Sequence, residues 1–312
     1  MTSLADILTM GEIVVEIMAK NVGQSFDETG EFLGPYPSGA PAIFIDQAAK
    51  IGSSAGIIAT IGNDAFGQMN YEKLKKDGVD VSTITISDQL TTGVAFVTYH
   101  RNGDRDFIFH LQNSAASLLS PDDIKEEYFQ GSKYFHVMGS ALFNQKIREA
   151  VRKAIEICKR TGTKISFDPN IRKELLKDEE MRSCLQFVLE NCDIFLPSGE
   201  ELFTFTNEDT EERAVQQLLD KGIEYVVVKK GSKGCSAYSK DSSFTVNPLK
   251  VVEVDPTGAG DCFGGTFISC LNLGISFRQA VTFASTAGAL AVTKKGPMEG
   301  NSTLDQVKKF LT

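Results

Sequence analysis

The sequence predicts an α/β fold with a central, mostly parallel β-sheet flanked by helices and a small second β-sheet. After about residue 130, short apolar runs alternate with helical patterns, which is typical of a parallel sheet with helices on both faces. Residues 93–111 form two alternating runs around Asn102-Gly103, a strong hairpin signal. With 312 residues, 42% of them hydrophobic, the chain can bury a large core in one domain.

The alternation in the second half defines seven elements, each named by the residues of its pattern. Apolar runs of about five to seven residues predict strands, and longer runs with apolar residues three and four apart predict helices. In chain order these are a strand at 133–139, a helix at 146–162, a strand at 164–168, a helix at 181–192, a strand at 193–199, a helix at 211–222 and a strand at 225–231.

Two stretches break this rhythm, at about residues 12–38 and 91–112. The first combines a strand-like run with a segment rich in glycine and proline, and the second is the predicted hairpin. We expect them to form a small β-sheet that projects from the main sheet as a lid. The sequence shows no internal repeat and no low-complexity linker, so residues 1–312 are predicted to be a single domain.

Composition excludes several classes of protein. A net charge of −9 argues against a nucleic-acid or anionic membrane surface. The longest apolar stretches fall well short of the roughly 20 residues of a membrane span, and the N-terminus lacks a signal pattern, so a cytoplasmic protein is expected. The six cysteines form no CxxC pair and no ligand spacing with the three histidines, which favours buried free thiols over a zinc site or disulfides.

The stretch VDPTGAGDCFGGTF, residues 254–267, places Gly258, Ala259 and Gly260 directly before Asp261, where a helical pattern begins. In open α/β sheets, ligands bind beyond the carboxyl ends of the strands, where a helix N-terminus offers unpaired amides and partial positive charge. Two glycines and an alanine let the backbone turn sharply and let its amides approach an anion closely. We therefore predict an anion site at residues 258–261.

Asp261 carries a negative charge beside this anion site, and two interpretations are open. An acid in the first turn of a helix is stabilised by the helix dipole by about 0.3–1 kcal/mol, which would make it a cap. Alternatively, the transfer of phosphate to a hydroxyl needs this pairing, because amides neutralise the phosphoryl group while a carboxylate accepts the hydroxyl proton. The full string DPTGAGD favours the second interpretation, with Asp261 facing an acceptor alcohol.

Four motifs in one order resemble the ribokinase-like, or PfkB-type, carbohydrate kinases along the whole chain. DPTGAGDCFGG resembles the family's C-terminal signature DTxGAGD. GEIVVEIM, PSGAPAIFIDQAAKIG and IGNDAFG follow its first signature region, and SFDPNIRKEL resembles the DPN-x-R segment of the fructokinase and 2-keto-3-deoxygluconate kinase branches. The sequence has neither GxxxxGK[ST] nor the glycine loop of protein kinases, which suits this family. The resemblance implies a ribokinase-like fold and an ATP-dependent sugar kinase.

The resemblance also implies roles for residues in the catalytic and nucleotide sites. Asp261 would be the catalytic base, and the backbone of residues 258–261 would be the anion hole. The residues expected to bind ATP are Lys229, Gly231 and Gly234 in VVKKGSKGC, Ser198 in PSGEE, Gly258 and Gly260, and Ala284, Ala287 and Gly288 on the adenine side. An ordinary β-turn is the alternative interpretation of Gly231 and Gly234.

Two ions are implied by the same resemblance. In PSGEE, Ser198 replaces the family's Asn, and Glu201 supplies the acid that helps to hold the magnesium–water shell, with Glu200 as a possible substitute. The residues Asp255, Thr257 and Gly296 resemble the loop that binds a monovalent cation, such as K⁺, in several members.

The resemblance implies sugar contacts as well, with departures from the family pattern. Gly39 matches a sugar-contacting glycine, Ile43 stands where Asn is common, and Glu16 stands where many relatives have Asp. Other expected contacts are Asp168, Asn170 and Arg172, with a surface salt bridge as the alternative for Arg172, and Phe96, Phe107 and Phe109 of the hairpin, with dimer packing as the alternative for the aromatics.

His110 falls about where 2-keto-3-deoxygluconate kinases carry an arginine that pairs with the substrate carboxylate. A neutral imidazole replaces a bidentate cation poorly, so the sequence favours a neutral sugar such as fructose, tagatose or ribose. The alternatives are 2-keto-3-deoxygluconate kinase, a nucleoside or vitamin kinase of the same fold, and a catalytically silent sugar-binding protein. Sugar and ATP are the expected ligands, and a homodimer through the lid, with Val94, Phe96 and Phe107 on its outer face, is expected.

Overall fold

A computed structural model describes residues 5–101, 104–171 and 178–311. Its larger sheet has nine strands in the order β13-β12-β11-β10-β9-β8-β1-β4-β5. The strands from β5 to β11 in this order are parallel, whereas β12 and β13 are added antiparallel at one edge. These strands are β1 (Ile7–Met10), β4 (Ala55–Gly62), β5 (Ile84–Ser87), β8 (Tyr134–Met138), β9 (Lys164–Asp168), β10 (Ile194–Phe195), β11 (Tyr225–Lys229), β12 (Cys235–Ser239) and β13 (Ser242–Val246).

Helices cover both faces of this sheet, as the sequence predicts. The helices in the described part of the chain are α1 (Ala40–Ile51), α2 (Ala65–Lys76), α3 (Gln145–Thr161), α4 (Glu179–Asn191), α5 (Glu201–Thr204), α6 (Glu211–Asp220), α7 (Ala259–Asn272), α8 (Phe277–Ala291) and α9 (Leu304–Lys308). Buried residues of α1, α7 and α8 form one hydrophobic cluster with the sheet, and those of α3, α4 and α6 form another. The fold is therefore a three-layer α/β arrangement.

The strands and helices predicted in the second half are present near the expected positions. The strand predicted at 193–199 is the exception, because β10 ends at Phe195. Pro197 follows two residues later and has no backbone N–H for a strand ladder, although Lys229 still donates its amide to the Pro197 carbonyl oxygen at 2.8 Å.

The two irregular stretches form a second, four-stranded sheet in the order β3-β2-β6-β7, which we call the small sheet. Its strands are β2 (Val14–Ala19), β3 (Phe32–Ser38), β6 (Gly93–Tyr99) and β7 (Arg105–His110). The antiparallel pairing of β6 with β7 agrees with the predicted hairpin, and the Asn102-Gly103 turn itself lies outside the described residues.

All six cysteines are free and buried, as predicted. Among the described residues, no helix is long and apolar enough to cross a membrane.

Candidate active site

A cavity of about 960 Å³ lies between the small sheet and the carboxyl ends of the parallel strands. Glu12, Ser140 and Asn170 line it shortly after the ends of β1, β8 and β9. Gly258 and Asp261 line it from the start of α7. The cavity therefore occupies the place where open α/β sheets bind their ligands.

The start of α7 has the tight geometry that its sequence predicts. Gly258 caps the helix with φ +80°, and a Cβ there would lie 2.5 Å from the carbonyl oxygen of Pro297. The amide of Cys262 donates to the carbonyl of Gly258 at 2.8 Å, which begins the helical pattern. The first amides of a helix have no partner within it, and they carry the positive end of the helix dipole. Residues 259–261 can thus donate to an anion.

Asp261 lies between this helix start and the cavity and is 8% exposed. Burial, together with the nearby carboxylates Asp168, Glu12 and Glu16, raises the pKa of Asp261 to about 8, and Lys229 acts against this rise. Asn170 donates from Nδ2 to Oδ1 of Asp261 at 3.3 Å and has φ +40°, in the left-handed region. The sequence-predicted base is thus held at the cavity with a pKa close to neutrality.

Asp168 and Lys229 form an ion pair beside Asp261, with side chains 1% and 11% exposed. Asp168 also accepts from the amide of Asn170 at 3.2 Å, so it supports the loop that carries Asn170. Burial and the neighbouring Asp168 carboxylate raise the pKa of Glu201. Asp168, predicted to contact the sugar, therefore lies behind the cavity wall, where its oxygen faces Lys229.

The predicted nucleotide loop lies at the ends of β10 and β11. Ser198 and Lys229 form an isolated parallel β-bridge, and the amide of Gly199 donates to the carbonyl of Lys229 at 2.8 Å. Gly231 and Gly234 follow with positive φ, and a Cβ on Gly234 would overlap the carbonyl oxygen of Val246. The structure thus brings Ser198, Lys229 and the two glycines together.

The residues predicted on the adenine side occupy a different place. Ala284 and Ala287 are fully buried in the core, and Gly288 is also buried. A Cβ on Gly288 would lie 3.1 Å from the carbonyl oxygen of Ala259. This prediction needs correction, because these small residues let α8 pack closely against the start of α7 instead of presenting a surface to a base.

Asp255, Thr257 and Gly296 lie together, as predicted for the cation loop. Oδ1 of Asp255 accepts from the amide of Thr257 at 3.1 Å and from the Tyr99 hydroxyl at 3.2 Å, and Oδ2 accepts from the amide of Gly296 at 3.0 Å. A carboxylate has about four lone-pair positions, so these three donors leave Oδ2 of Asp255 able to contact a cation as well. The loop therefore keeps an oxygen of the kind that a monovalent cation binds.

The carboxylate of Glu201 fits a role in magnesium binding. Mg²⁺ is usually held by one or two carboxylates, water and substrate phosphates rather than by a cage of protein ligands. Glu201 accepts from the amides of Ser198 at 2.6 Å and Ile171 at 2.7 Å, which fixes its carboxylate beside Asp168. The described residues contain no cluster of three or more acidic, histidine or cysteine side chains that could hold a metal by themselves. Glu200, the possible substitute, is exposed.

The aromatic side chains of the small sheet are divided between its two faces differently from the sequence prediction. Phe107 and Phe109 line the cavity and stack on each other with their ring centroids 5.4 Å apart. Phe96 and His110 point to the opposite face, where their ring centroids are 6.0 Å apart. The expected sugar contacts of Phe96 and His110 are therefore wrong, and so is the placement of Phe107 on the outer face, because alternate residues of a strand face opposite sides.

The sugar side of the cavity contains the other predicted residues. Gly39 has φ +113°, and a Cβ there would overlap the carbonyl oxygen of Glu12. Glu16 is buried and accepts from the Ser38 hydroxyl at 2.9 Å. Ile43 lines the cavity. Arg172 lies outside the described residues.

Sequence reasoning did not assign Glu12, and it offers Arg105 of the hairpin only as a substitute cation for a substrate carboxylate. Glu12 is buried and accepts from the Ser140 hydroxyl at 3.2 Å, and its place directly after Gly11 in the GEIVVEIM motif was the signal for it. Arg105 lines the cavity and donates to the Thr257 hydroxyl at 3.0 Å. Its contact joins chain segments 152 residues apart, which no local pattern reveals.

Comparisons with known proteins agree with this architecture. The family model described as pfkB family carbohydrate kinase matches residues 5–304. Fructokinase-1 of Zea mays is 31% identical over 314 residues, which cover 98% of this chain and 97% of that protein. A crystal structure titled "putative Ribokinase II in complex with ATP and Mg+2" from E. coli is 49% identical, with a TM-score of 0.95 and 99% of each chain covered.

A fructokinase from Vibrio cholerae O395, solved with fructose, ADP and calcium ion, is 28% identical and has a TM-score of 0.86, with 99% of each chain covered. The family match extends from the first strand of the main sheet to α9 and includes the cavity, the start of α7 and the small sheet. The chain belongs to the pfkB family of carbohydrate kinases.

Proposed function

We propose that the protein is an ATP-dependent fructokinase, which transfers the γ-phosphoryl group of ATP to a hydroxyl of a neutral ketohexose. The observation that carries this proposal is the position of Asp261, between the cavity and the first amides of α7. The chain is similar to fructokinases over nearly its whole length, and one of the similar structures contains fructose. Both similarities support fructose as the acceptor. An aminoimidazole riboside kinase from Salmonella enterica is 24% identical and shares the fold, which does not by itself support a nucleoside acceptor.

Asp261 acts as the general base in the proposed reaction. The sugar hydroxyl oxygen attacks the γ-phosphorus, the bond from that phosphorus to the bridging oxygen of ADP breaks, and the hydroxyl proton passes to Asp261. A pKa near 8 suits this transfer, because the carboxylate is basic enough to accept a proton at neutral pH. The first amides of α7 stabilise the negative charge on the phosphoryl oxygens.

ATP would lie along the ends of β10 and β11, with Gly231 and Ser198 at its phosphates. Magnesium, when bound, neutralises phosphate charge and orients the γ-phosphoryl group. Glu201 would hold its water shell, because two backbone amides fix the carboxylate in place. An activating potassium ion stays a prediction of the resemblance. A KCl titration in potassium-free buffer tests it.

The charge of the cavity favours a neutral acceptor. Glu12 and Glu16 are buried acidic side chains on its wall, and their negative charge would repel an acid such as 2-keto-3-deoxygluconate. His110 does not contribute to this preference, because its side chain faces away from the cavity. Among the described residues that line the cavity, Arg105 is the one cation, and its neighbours in the sequence are two acids, Asp104 and Asp106.

A screen of acceptors coupled to ADP release tests this proposal. We expect kcat/KM for fructose to exceed that for 2-keto-3-deoxygluconate by at least about tenfold, equivalent to 1.4 kcal/mol. Ribose and tagatose are the informative comparisons, because the E. coli neighbour at 49% identity is titled a ribokinase. Adenosine and pyridoxal should give no ADP above background. A higher kcat/KM for the aldonic acid or for ribose would overturn the assignment to fructose.

We also propose a homodimer through the outer face of the small sheet. Phe32 and Ile108 are 37% and 43% exposed there, and Phe32 packs edge-on against Phe96 with ring centroids 6.2 Å apart. An exposed apolar sheet face is unfavourable in water, and pairing of two copies would cover it. Phe32→Glu should convert the dimer to a monomer in light scattering, and a wild-type monomer at micromolar concentration would refute the proposal.

A cytoplasmic location stays a prediction, to be tested by cell fractionation.

A further inference from the structure

Lys229 is a buried cation directly beside the start of α7. It ends β11, and its side chain is 11% exposed and paired with Asp168. Its Nζ lies 3.5 Å from the position that a Cβ on Gly260 would take. The ammonium group is therefore next to the amides that we assign to the phosphoryl group.

The carboxylates around Lys229 hold it in its charged form. Asp168, Glu201 and Asp261 each raise the pKa of Lys229, against the effect of burial. A buried ion pair contributes little net stability compared with apolar residues of the same volume, because both charges lose their hydration. Stability alone therefore does not account for a lysine at this position, whereas phosphoryl transfer makes use of a fixed cation.

We propose that Lys229 is a catalytic residue that contacts the γ-phosphoryl group of ATP, and that Asp168 is the positioning residue that holds Lys229 before the nucleotide arrives. This inference rests on the proposed kinase function. As charge moves onto the transferred group, the ammonium group donates to its oxygens together with the first amides of α7. Asp168, fixed by the amide of Asn170, keeps the lysine pointed toward the helix start.

The position of Lys229 also couples it to the base. Lys229 opposes the rise in the pKa of Asp261 that Asp168, Glu12 and Glu16 cause. A cation near both the γ-phosphate and Asp261 lets the base be ionised while anionic phosphate lies close by. One side chain would therefore serve both the charge on the phosphoryl group and the charge on the carboxylate.

The test compares Lys229 variants, which remove the cation, with a matched variant of the neighbouring Lys230. Lys229→Met alone would leave Asp168 buried and unpaired, so the double variant Lys229→Met/Asp168→Asn, which removes both charges, is measured beside it. Lys230→Met is the control, because the Lys230 ammonium group bonds Glu211 at 2.9 Å and Ser236 at 2.6 Å instead. Circular dichroism and thermal melting verify that each variant is folded.

We expect both Lys229 variants to lose kcat with fructose by about 10²–10³-fold, the effect of removing one preorganised donor. Affinity for a non-hydrolysable ATP analogue with Mg²⁺ should fall, whereas affinity for ADP with Mg²⁺ should stay unchanged, since ADP lacks the γ-phosphate. Lys229→Arg should recover part of kcat, and Lys230→Met should match wild type.

Three results would overturn the inference while leaving the kinase assignment intact. They are a folded double variant with kcat near wild type, equal losses of affinity for ADP and the ATP analogue, and an equal loss of kcat in Lys230→Met. Absence of any sugar-dependent ADP release from the wild-type protein would instead reject the proposed function itself.

Discussion

The start of α7 and the small sheet face each other across the cavity, and they differ in how firmly the protein holds them. Every residue of α7 from Asp261 to Cys270 is buried, and the helix packs between α1 and α8. In β7, by contrast, every residue is half-buried or exposed. The wall that carries the base and the anion site is part of the core, whereas β7, the edge strand of the opposite wall, is held mainly by its ladder with β6.

This difference separates two tasks of the site. Charge stabilisation needs donors that are already in place, since reorganising them during the reaction costs free energy. Closure over a sugar needs a surface that moves without disrupting the core, and elements with few buried contacts open at low cost. We therefore expect substitutions at α7 to reduce kcat, and those on the small sheet to affect mainly KM for the sugar.

Asp261→Asn gives the largest effect that the comparison predicts. Asparagine keeps the shape of the side chain but cannot accept the proton, so kcat should fall by about 10²–10⁴-fold. The measurement is steady-state ADP release with fructose, beside calorimetric binding of a non-hydrolysable ATP analogue, which we expect to change little. An Asn variant with kcat near wild type would remove Asp261 from the mechanism.

The pH profile tests the charge environment of the same residue. Its pKa is raised to about 8, so in the free enzyme the base is mostly protonated at pH 7, and kcat/KM should fall about tenfold for each pH unit below 8. Glu16→Gln removes one carboxylate that raises this pKa, so the acidic limb should move to lower pH. Profiles of kcat/KM against pH at low nucleotide concentration measure the acidic limb of the wild-type protein and that of Glu16→Gln. A Glu16→Gln limb at the wild-type position would contradict the assignment.

Phe109→Ala and Phe96→Ala compare the two faces of the small sheet. Phe109 lines the cavity, and its loss should lower kcat/KM for fructose by up to about tenfold, mostly through KM, given about 0.5–1.5 kcal/mol for an aromatic contact. Phe96 faces the other side, so its alanine variant should keep kcat/KM and weaken the dimer. The reverse pattern in kinetics and light scattering would show that the faces are exchanged in solution.

The sequence predicted the α7 side of the site better than the small-sheet side, for a physical reason. Residues 258–261 are adjacent in the chain, so turn chemistry and the helix start locate them together. On β6 and β7 the predicted alternation was correct, but a choice between two faces depends on what the sheet covers, and a one-residue shift exchanges them. Phe96 and His110 were placed on the wrong face for this reason.

Small residues in α8 show a second limit of sequence reasoning. The pattern around Ala284 and Ala287 shows that a neighbour approaches closely, but it does not say whether the neighbour is a base or a helix. In the structure it is α7, since a Cβ on Gly288 would lie only 3.1 Å from the Ala259 carbonyl oxygen. Long-range contacts such as Tyr99 with Asp255, 156 residues apart, have no local signature at all.

The smallest predicted effect lies where the two walls touch. Tyr99 ends β6 and donates its hydroxyl to Asp255, in the loop that leads into α7. Burial and the carboxylates of Asp255 and Glu16 raise the pKa of Tyr99, so its hydroxyl stays protonated as a donor. Tyr99→Phe keeps the ring and removes the hydroxyl, and the loss of its bond to Asp255 costs about 0.5–1.5 kcal/mol.

That cost corresponds to a loss of roughly twofold to tenfold in kcat/KM, if the bond helps to position the loop for transfer. Tyr238→Phe is the matched control, because its hydroxyl bonds Glu211 at 2.7 Å, away from the cavity. Kinetics and melting temperature of both variants separate the roles. If both phenylalanine variants melt lower by the same amount and neither changes kcat/KM, the tie between the small sheet and α7 contributes stability alone, and the two walls act independently.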